Sequence, residues 1–426
     1  MKRLKIVFLT GNFHPEYTGI AVHATDLAKE FLKLGHEVNV FTSFPYYPNW
    51  RIGPNYRGKI FDRYNYKGIN VYRNWLYLPP KKSITTKYRM IAELSFLILQ
   101  ILNLIRHEKI VKHSDVIMVF SPFFLQGISA IILKKAWNIP YIFHVEDIQP
   151  DSAIDTGLLR NNNIMFRLII ELLKSLEKTF YKNSLVVSTL TKGMRKNIIS
   201  KMDNYRDKVT ILGYWVNTKK YFSSEELRKL FRNKYDYQED ELLIGYAGNI
   251  GKKQNINKLV EIINELGKRS NKIKFIIAGE GAYKRELKKL IIGKKNRNLR
   301  ILPLQRDLDY VSFLNGVDLS FISQDENAKN IFIPSKLYPT LSCGSVIVCF
   351  ANKNSELYNI IKDSNSGYVY EWNQVNKFIK NMLYLADDKI KLNNKRMMAK
   401  KYAISNFSKE VVLSPIVNVL NSIAKI

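Results

Sequence analysis

The chain has 426 residues, of which 46% are hydrophobic and 24% charged, a composition typical of folded domains and unlike that of a disordered chain. This length suits two or three domains. The formal net charge of +30 fits a nucleic acid, an anionic membrane or an anionic substrate as a partner, although part of it reflects lysines scattered along the whole chain. The sequence lacks RNA-binding aromatic signatures, zinc-finger spacings and basic zippers, which argues against nucleic acid.

Cysteine usage and apolar segments bear on the compartment. Cys343 and Cys349 lack the spacing and the matching histidines of a metal site, so we expect buried thiols in a reducing cytosol. Residues 4–9 are apolar over a strand's length only, and no small-residue cleavage site follows, which argues against a signal peptide. The most apolar segment, 94–105, is shorter than the ~20 residues that span a bilayer. We expect a soluble or peripherally bound protein, with 94–105 either a buried helix or an exposed membrane contact.

Strand-like and helix-like segments alternate along both halves of the chain. Helices are expected at 22–34 and 255–266, ending at Gly35 and Gly267. Expected strands lie at 5–9, 38–42, 116–120, 141–144, 185–188, 243–247, 274–278, 299–302, 319–322 and 346–350. This alternation predicts an α/β protein with parallel sheets and helices on both faces.

A charged, strand-poor segment between residues 217 and 240 separates the two α/β series. We therefore predict two Rossmann-like domains, residues 1–220 and 221–405, and a C-terminal helix at 406–426 that crosses back to the first domain. Residues 44–80 are aromatic and rich in Arg, Pro and Gly, which indicates a long loop or a hairpin.

Two candidate sites follow strands in the first half. The turn TGNFHPEYTGIA at 10–21 contains Gly11 and Gly19, which allow a ligand to approach the backbone, but it lacks the GxGxxG spacing of dinucleotide sites. His144 and Asp147 follow a later strand, at the edge of the sheet where open α/β proteins bind ligands. They could orient a sugar hydroxyl or transfer a proton. The alternative is an ordinary loop histidine and a helix-capping aspartate.

Three loops of the second half favour an anion. The segments YAGNIGKKQ at 246–254, AGEG at 278–281 and PLQ at 303–305 each follow a predicted strand. Lys252 and Lys253 add positive charge at a predicted helix start, which suits a diphosphate although the P-loop pattern is missing.

The segment IPSKLYPTLSCG at 333–344 adds a short predicted helix to the same edge. We expect Ser335 to cap this helix, Lys336 to supply a cation and Gly344 to end the helix in a left-handed conformation. An ordinary capped βα unit would explain these residues alone. The convergence of several loops at one edge of the sheet favours a diphosphate site.

Taken in order, these segments resemble retaining glycosyltransferases of the GT-B fold. The matching segments are GHEVNVFT at 35–42, HVEDIQPDSA at 144–153, GYWVN at 213–217, YAGNIGKKQ, GEG at 279–281, LPLQ at 302–305 and IPSKLYPTLSCG. HVEDIQPDSA and PSKL resemble a subgroup that builds O-antigen, capsule or colanic-acid-like polymers, sometimes transferring fucose or N-acetylfucosamine. The resemblance implies two Rossmann-like domains with a cleft between them and a C-terminal helix returning to the first.

The resemblance also implies where the substrates bind. The second domain would hold a UDP- or GDP-linked sugar and the first the acceptor, without a cofactor or a metal. Lys253, Ser335 and Lys336 would line the diphosphate, and His144, with Asp147 near it, would contact the donor sugar as the catalytic pair. The other donor-binding residues implied are Gly19, Gly248, Asn249, Gly279, Glu280, Gly281, Leu304, Gln305 and Leu337.

The sequence departs from the family at three positions. Asn249 stands where many relatives have an arginine, and Ile331 and Pro339 stand where many have two glutamates. Only Glu326 lies nearby, so no carboxylate is assigned to the ribose. If Ser335 caps the helix, Pro339 removes a helix hydrogen bond. Either the helix begins a turn later or the ribose is held from elsewhere.

The function implied is transfer of a sugar, with retention, to a lipid-linked saccharide in surface polysaccharide synthesis. We expect a cytoplasmic protein, peripheral on the inner face of the cell membrane, whose basic surface could bind anionic lipid. The alternatives are another GT-B-shaped enzyme, such as a sugar-nucleotide epimerase or a phosphorylase, and a nucleic-acid-binding protein.

Overall fold

The computed structural model describes the chain except residues 1, 18, 48, 80–85, 152–153, 155–163, 203, 251–254, 282–283, 286, 289–297, 325–332 and 426. The chain divides into two compact units, residues 1–213 with 413–426, and residues 214–412. The sequence predicts the corresponding boundaries after residues 220 and 405, whereas the structure divides the chain after residues 213 and 412. Each unit is built on one sheet with helices packed against it.

The first unit contains an eight-stranded sheet. Its strands are β1 Lys5–Leu9, β2 Glu37–Ser43, β3 Phe61–Tyr66, β4 Ile69–Asn74, β5 Val116–Ser121, β6 Tyr141–Val145, β7 Val186–Thr189 and β8 Val209–Ile211. The order is β3-β4-β2-β1-β5-β6-β7-β8, and every neighbouring pair is parallel except β3 and β4. Its helices are α1 Ile20–Lys33, α2 Thr86–Arg106, α3 Glu108–Lys112, α4 Gln126–Trp137, α5 Ile164–Asn183 and α6 Lys192–Ser200.

The second unit contains a six-stranded, fully parallel sheet. Its strands are β9 Leu242–Asn249, β10 Ile273–Glu280, β11 Leu299–Leu302, β12 Leu319–Ser323, β13 Val346–Phe350 and β14 Gly367–Tyr370, in the order β11-β10-β9-β12-β13-β14. Its helices are α7 Glu225–Lys234, α8 Ile256–Arg269, α9 Asp307–Gly316, α10 Leu337–Ser342, α11 Glu356–Ser364, α12 Val375–Asp387 and α13 Lys391–Phe407. The last helix, α14 Lys409–Ile423, begins in this unit, and residues 413–426 belong to the first.

The central strands are short apolar runs with both faces covered. Every residue of β5 (VIMVFS) and of β13 (VIVCF) is buried. Parallel strands under helices on both faces need such continuous apolar sequence, and each buried large aliphatic side chain stabilises the fold by about 1.5–3 kcal/mol. The expected α/β class is therefore confirmed, and Cys343 and Cys349 are buried free thiols as expected.

All the strands expected from the sequence are present, β8 and β14 were missed, and the hairpin β3–β4 confirms the hairpin alternative for segment 44–80. The segment 44–80 contains the hairpin β3–β4, in which Tyr66 pairs with Ile69 across a two-residue turn. Lys67 and Gly68 both have positive φ, 51° and 94°, as a tight hairpin turn requires. The strand β8 has only three residues, and β14 (GYVY) begins with a glycine, a residue depleted in strands, so neither stands out in the sequence. Helix α8 continues past Gly267 to Arg269, so its predicted end is wrong.

Helix α10 begins later than predicted. It starts at Leu337, and the residue before it, Lys336, has a helical backbone without a side-chain cap, so the prediction of Ser335 as the cap is wrong. Pro339 consequently occupies the third helical position, where the backbone N–H has no partner within the helix anyway, and its ring breaks no hydrogen bond. Gly344 has φ of +69°, which confirms the predicted left-handed end.

A buried carboxylate ties several segments of the second unit together. Asp318 directly precedes β12 and is 1% exposed. Its carboxylate lies within 3.3 Å of nitrogens of Arg228, Arg232, Lys389 and Arg396. Burial alone raises the pKa of Asp318, but the positive charges of Arg228, Lys389 and Arg232 outweigh it and lower the pKa overall.

We predict that Asp318→Asn lowers the free energy of unfolding by about 3–5 kcal/mol, because it leaves buried cations without their carboxylate. A carboxyl whose pKa is lowered by folding stabilises the protein above its unfolded pKa of ~3.9, and this stabilisation is lost as the pH falls below that value. Urea unfolding at pH 7 and at about pH 2, below the unfolded pKa, measures both effects. The control Asp309→Asn alters an exposed carboxylate 3.7 Å from Lys234. If Asp318→Asn lowered the free energy of unfolding by no more than Asp309→Asn does, the prediction would be contradicted.

Candidate active site

The carboxyl ends of β9 and β10 lie side by side because these strands are parallel neighbours. Gly248 pairs with Gly279, and Asn249 pairs with Glu280. A Cβ atom on Gly279 would lie 2.0 Å from the carbonyl oxygen of Gly248, so only glycine fits there. Gly281 follows directly. The structure therefore brings the predicted donor residues 248, 249 and 279–281 to one edge of the sheet.

Lys336 reaches the same edge from the turn before α10. Its ammonium nitrogen is buried, although the residue as a whole is partly exposed. The Nζ atom lies 4.0 Å from the centroid of the Tyr246 ring, and a Cβ on Gly248 would be 3.2 Å from it. Among the described residues this nitrogen has no hydrogen-bond acceptor. Burial lowers the pKa of Lys336 to about 7.

The other predicted donor residues are placed less centrally. Ser335 is exposed, whereas the Leu337 side chain is fully buried in the core and only its backbone N–H contacts the turn, by donating to Pro334. Leu304 and Gln305 are half-buried after β11, and the Gln305 amide donates to the carbonyl oxygen of residue 303.

Several sequence predictions lie outside the described residues. They concern Lys252, Lys253, Glu326 and Ile331. The expected positive charge of Lys252 and Lys253 at the diphosphate therefore stays a prediction. So does the expectation that neither Glu326 nor Ile331 supplies a carboxylate to the ribose.

In the first unit, Gly19 starts the helix that carries an unpredicted site residue. Gly19 has φ of +60°, a left-handed conformation that glycine adopts without strain, and α1 begins at the next residue. One turn later His23 is buried, and its Nδ1 lies 2.7 Å from Oε1 of Glu146. Sequence reasoning missed His23 and Glu146. The signal available was a histidine one turn into the helix after the glycine turn, and a carboxylate two residues after His144.

His144, Glu146 and His23 form one buried cluster. His144 lies on β6 and has no exposed surface. Its Nδ1 is 2.9 Å from the hydroxyl of Ser188 on β7, and its Nε2 is 3.5 Å from Oε1 of Glu146. The predicted neighbour Asp147 instead uses its carbonyl oxygen to accept a hydrogen bond from Ser121.

The protonation states in this cluster follow from burial and hydrogen bonding. Burial alone raises the pKa of Glu146, but hydrogen bonds to His144 and His23 outweigh it and lower the pKa to about 2. Burial lowers the pKa of His144, which keeps its ring neutral at neutral pH. Because an ionised carboxylate only accepts hydrogen bonds, Nδ1 of His23 is the donor to Glu146.

The same three residues could be considered as metal ligands, since their ligating atoms all lie within 4.8 Å of one another. The distance of 2.7 Å between His23 and Glu146 argues otherwise. Two ligands at about 2.0–2.1 Å from a tetrahedral zinc ion would be about 3.3 Å apart. The geometry therefore fits a hydrogen-bonded carboxylate rather than a metal site, and the expected role of His144 at the donor sugar stays a prediction.

Two family descriptions match this chain: a glycosyl transferase 4-like domain over residues 18–215 and glycosyl transferases group 1 over residues 228–405. The chain is 27% identical over 356 residues to WcaI of Escherichia coli (strain K12), a glycosyl transferase whose name refers to colanic acid biosynthesis. The match covers 83% of this chain and 85% of that protein.

Solved structures of low sequence identity share the fold. HepE of Anabaena, in complex with UDP, has a TM-score of 0.70 at 13% identity and covers 98% of this chain and 100% of its own. WaaG, a glycosyltransferase involved in lipopolysaccharide biosynthesis, has a TM-score of 0.65 at 14% identity, over 96% of this chain and 98% of its own. The chain therefore belongs to the GT-B glycosyltransferases that join a 4-like domain to a group 1 domain.

Proposed function

We propose that this glycosyltransferase moves a sugar of the fucose or N-acetylfucosamine type from a UDP- or GDP-linked donor to a lipid-linked saccharide, with retention of configuration. The product would enter a surface polysaccharide such as O-antigen, capsule or exopolysaccharide, made on the cytoplasmic side of the membrane. The name of WcaI refers to colanic acid, HepE was solved with UDP, and WaaG is involved in lipopolysaccharide biosynthesis, which supports this choice.

The Lys336 ammonium is the observation that carries the donor part of the proposal. A buried cation without an acceptor is unfavourable, so its presence supports a site that an anionic ligand completes. Gly248 leaves space beside it, because its missing Cβ would lie 3.2 Å from Nζ. A donor diphosphate placed there would accept a charge-assisted hydrogen bond. We propose Lys253 as a second cation for the same group.

The chemistry would follow from this placement. The bond between the sugar C1 and the phosphate oxygen breaks while the acceptor oxygen bonds to C1 from the same face. The acceptor proton passes to the departing phosphate oxygen. Lys336 would stabilise the charge that develops on the leaving diphosphate. Glu146 is engaged by two histidines and is not free to attack the sugar, which supports this route over a covalent glycosyl-enzyme intermediate.

The proposal is tested by incubating the protein with a panel of UDP- and GDP-sugars and a membrane extract. We expect release of UDP or GDP that depends on the extract, and an NMR spectrum of the product with the anomeric configuration of the donor. An epimerase would change the sugar nucleotide without an acceptor. A phosphorylase would require inorganic phosphate. Either result, or an inverted anomer, would contradict the proposal.

We predict that Lys336→Met weakens UDP or GDP binding about 10- to 100-fold, the loss of a hydrogen bond to a charged group. Because a diphosphate binds the protonated lysine, wild-type affinity should fall by up to tenfold per unit as the pH rises from 7 to 9. Phosphate, with a pKa near 6, is already ionised over this range. Calorimetric titration with the nucleotides at several pH values measures both effects.

The control for this prediction is Lys362→Met, which removes an exposed lysine of α11. It should leave affinity and its pH dependence unchanged. Lys336→Met should be at least as stable as the wild type, since it removes the desolvation cost of a buried ammonium. Affinity that stays unchanged in a folded Lys336→Met protein would rule out this lysine as a phosphate ligand.

We also predict that Glu146→Gln lowers kcat about 100-fold with less than about a threefold change in nucleotide affinity, because this carboxylate positions His144, the expected contact of the donor sugar, rather than holding the donor nucleotide. The matched control is Glu177→Gln, a buried carboxylate of the same unit paired with Lys201. It should reduce stability without a comparable loss of kcat. Equal losses of kcat in the two variants would indicate that Glu146 is only structural.

A further inference from the structure

Helix α2 has two faces of different character. One side packs against β2, β4 and α4 and is buried, with Phe96 and Leu104 in the core. Gln100 lies on this buried side and is hydrogen-bonded to the side chains of Gln126 and Ser129 on α4. The polar residues that interrupt the apolar sequence therefore point into the unit, and the exposed residues between Ile91 and Ile105 are all apolar.

The outward side of α2 is an exposed apolar stripe. It consists of Ile91, Leu94, Ile98, Leu102 and Ile105, of which Ile98 is 58% and Ile105 60% exposed. The spacing of three or four residues places them on one face, about 21 Å long at 1.5 Å per residue. Soluble proteins expose large apolar residues singly, whereas a continuous stripe indicates a binding surface.

The neighbouring helices also expose apolar side chains. Helix α4 contacts α2 on one side and α5 on the other. It exposes Ile132, and α5 exposes Leu168 and Leu172 at 67% and 60%. We call the apolar surface of α2, α4 and α5 the helical face.

The helices of the helical face and the adjoining α3 carry an excess of exposed basic residues. Exposed lysines and arginines on α2, α3 and α5 include Lys87, Arg106, Lys109, Lys112, Arg167 and Lys178. The exposed acidic residues there are Glu108 and Glu171, and Glu171 is paired with Lys174. Apolar side chains accompanied by positive charge fit the interface of an anionic bilayer. A second copy of the same face would bring like charges together, which disfavours self-association.

By length and mean hydropathy alone, residues 87–106 could cross a membrane. The hydrogen bonds of Gln100 and the burial of Phe96 argue against spanning, because they hold one side of α2 in the protein core. The helix is thus a core element on one side and an exposed apolar surface on the other, and the expected membrane contact of segment 94–105 stays a prediction.

We propose that the helical face binds an anionic lipid surface, with α2 lying along the interface and its stripe inserted among the lipids. This inference deepens the proposed function, on which it rests only for the location of the acceptor. Binding to lipid itself requires neither donor nor catalysis, so it can be tested separately.

The test is cosedimentation of the full-length protein with vesicles of phosphatidylcholine, alone or mixed with phosphatidylglycerol. We expect binding to the mixed vesicles that weakens with salt. The double variant Ile98→Glu, Leu102→Glu should lower the partition coefficient about tenfold or more, since each side chain would otherwise leave water for the lipid. The control Met397→Glu, Ile404→Glu alters two exposed apolar residues of α13 and should bind like the wild type.

Circular dichroism and thermal unfolding of both variants check that they are folded. Failure of the wild-type protein to bind mixed vesicles, or equal losses in the two double variants, would overturn the proposal. A dimer that is abolished by Ile98→Glu, Leu102→Glu, without vesicle binding, would also overturn it and assign the face to a protein contact. Vesicle binding without sugar transfer would leave this inference standing and count against the proposed function alone.

Discussion

Parallel pairing of strands is the constraint on which both units depend. Parallel neighbours end at the same edge of a sheet, so every loop that follows a strand opens there. In the second unit this pairing sets Gly248 against Gly279 and leaves room for the Lys336 ammonium. In the first unit it sets His144 beside Ser188, two residues before Glu146. Each site is a consequence of strand direction combined with a few local residues.

Two buried charges of the second unit differ in whether the described residues supply a partner. Asp318 precedes β12, at the amino end of a strand, and is surrounded by cations that satisfy its carboxylate. Lys336 lies near the carboxyl end of β9 with an aromatic ring beside it and no acceptor among the described residues. A paired buried charge holds the fold together, whereas an unpaired one is tolerated where a ligand supplies the partner.

The first unit combines a polar cluster at its sheet edge with an apolar surface on its helices. Glu146 draws α1 and β6 together through His23 and His144. Helix α2 instead divides its side chains, with Gln100 bonded inside the unit and Ile98 exposed outside. Residue type alone does not distinguish these side chains from others in the chain. Their different roles follow from the residues that they contact.

Local patterns in the sequence were sufficient to predict the α/β class, the strands of both sheets that carry long apolar runs, and the GT-B family. These depend on local periodicity and on motifs whose residues are adjacent in the chain. Tertiary structure alone decided that α10 starts after Ser335, that Lys336 faces Gly248, and that Glu146 joins His23 to His144. Such contacts join residues far apart in the chain, and their geometry depends on packing that no local pattern records.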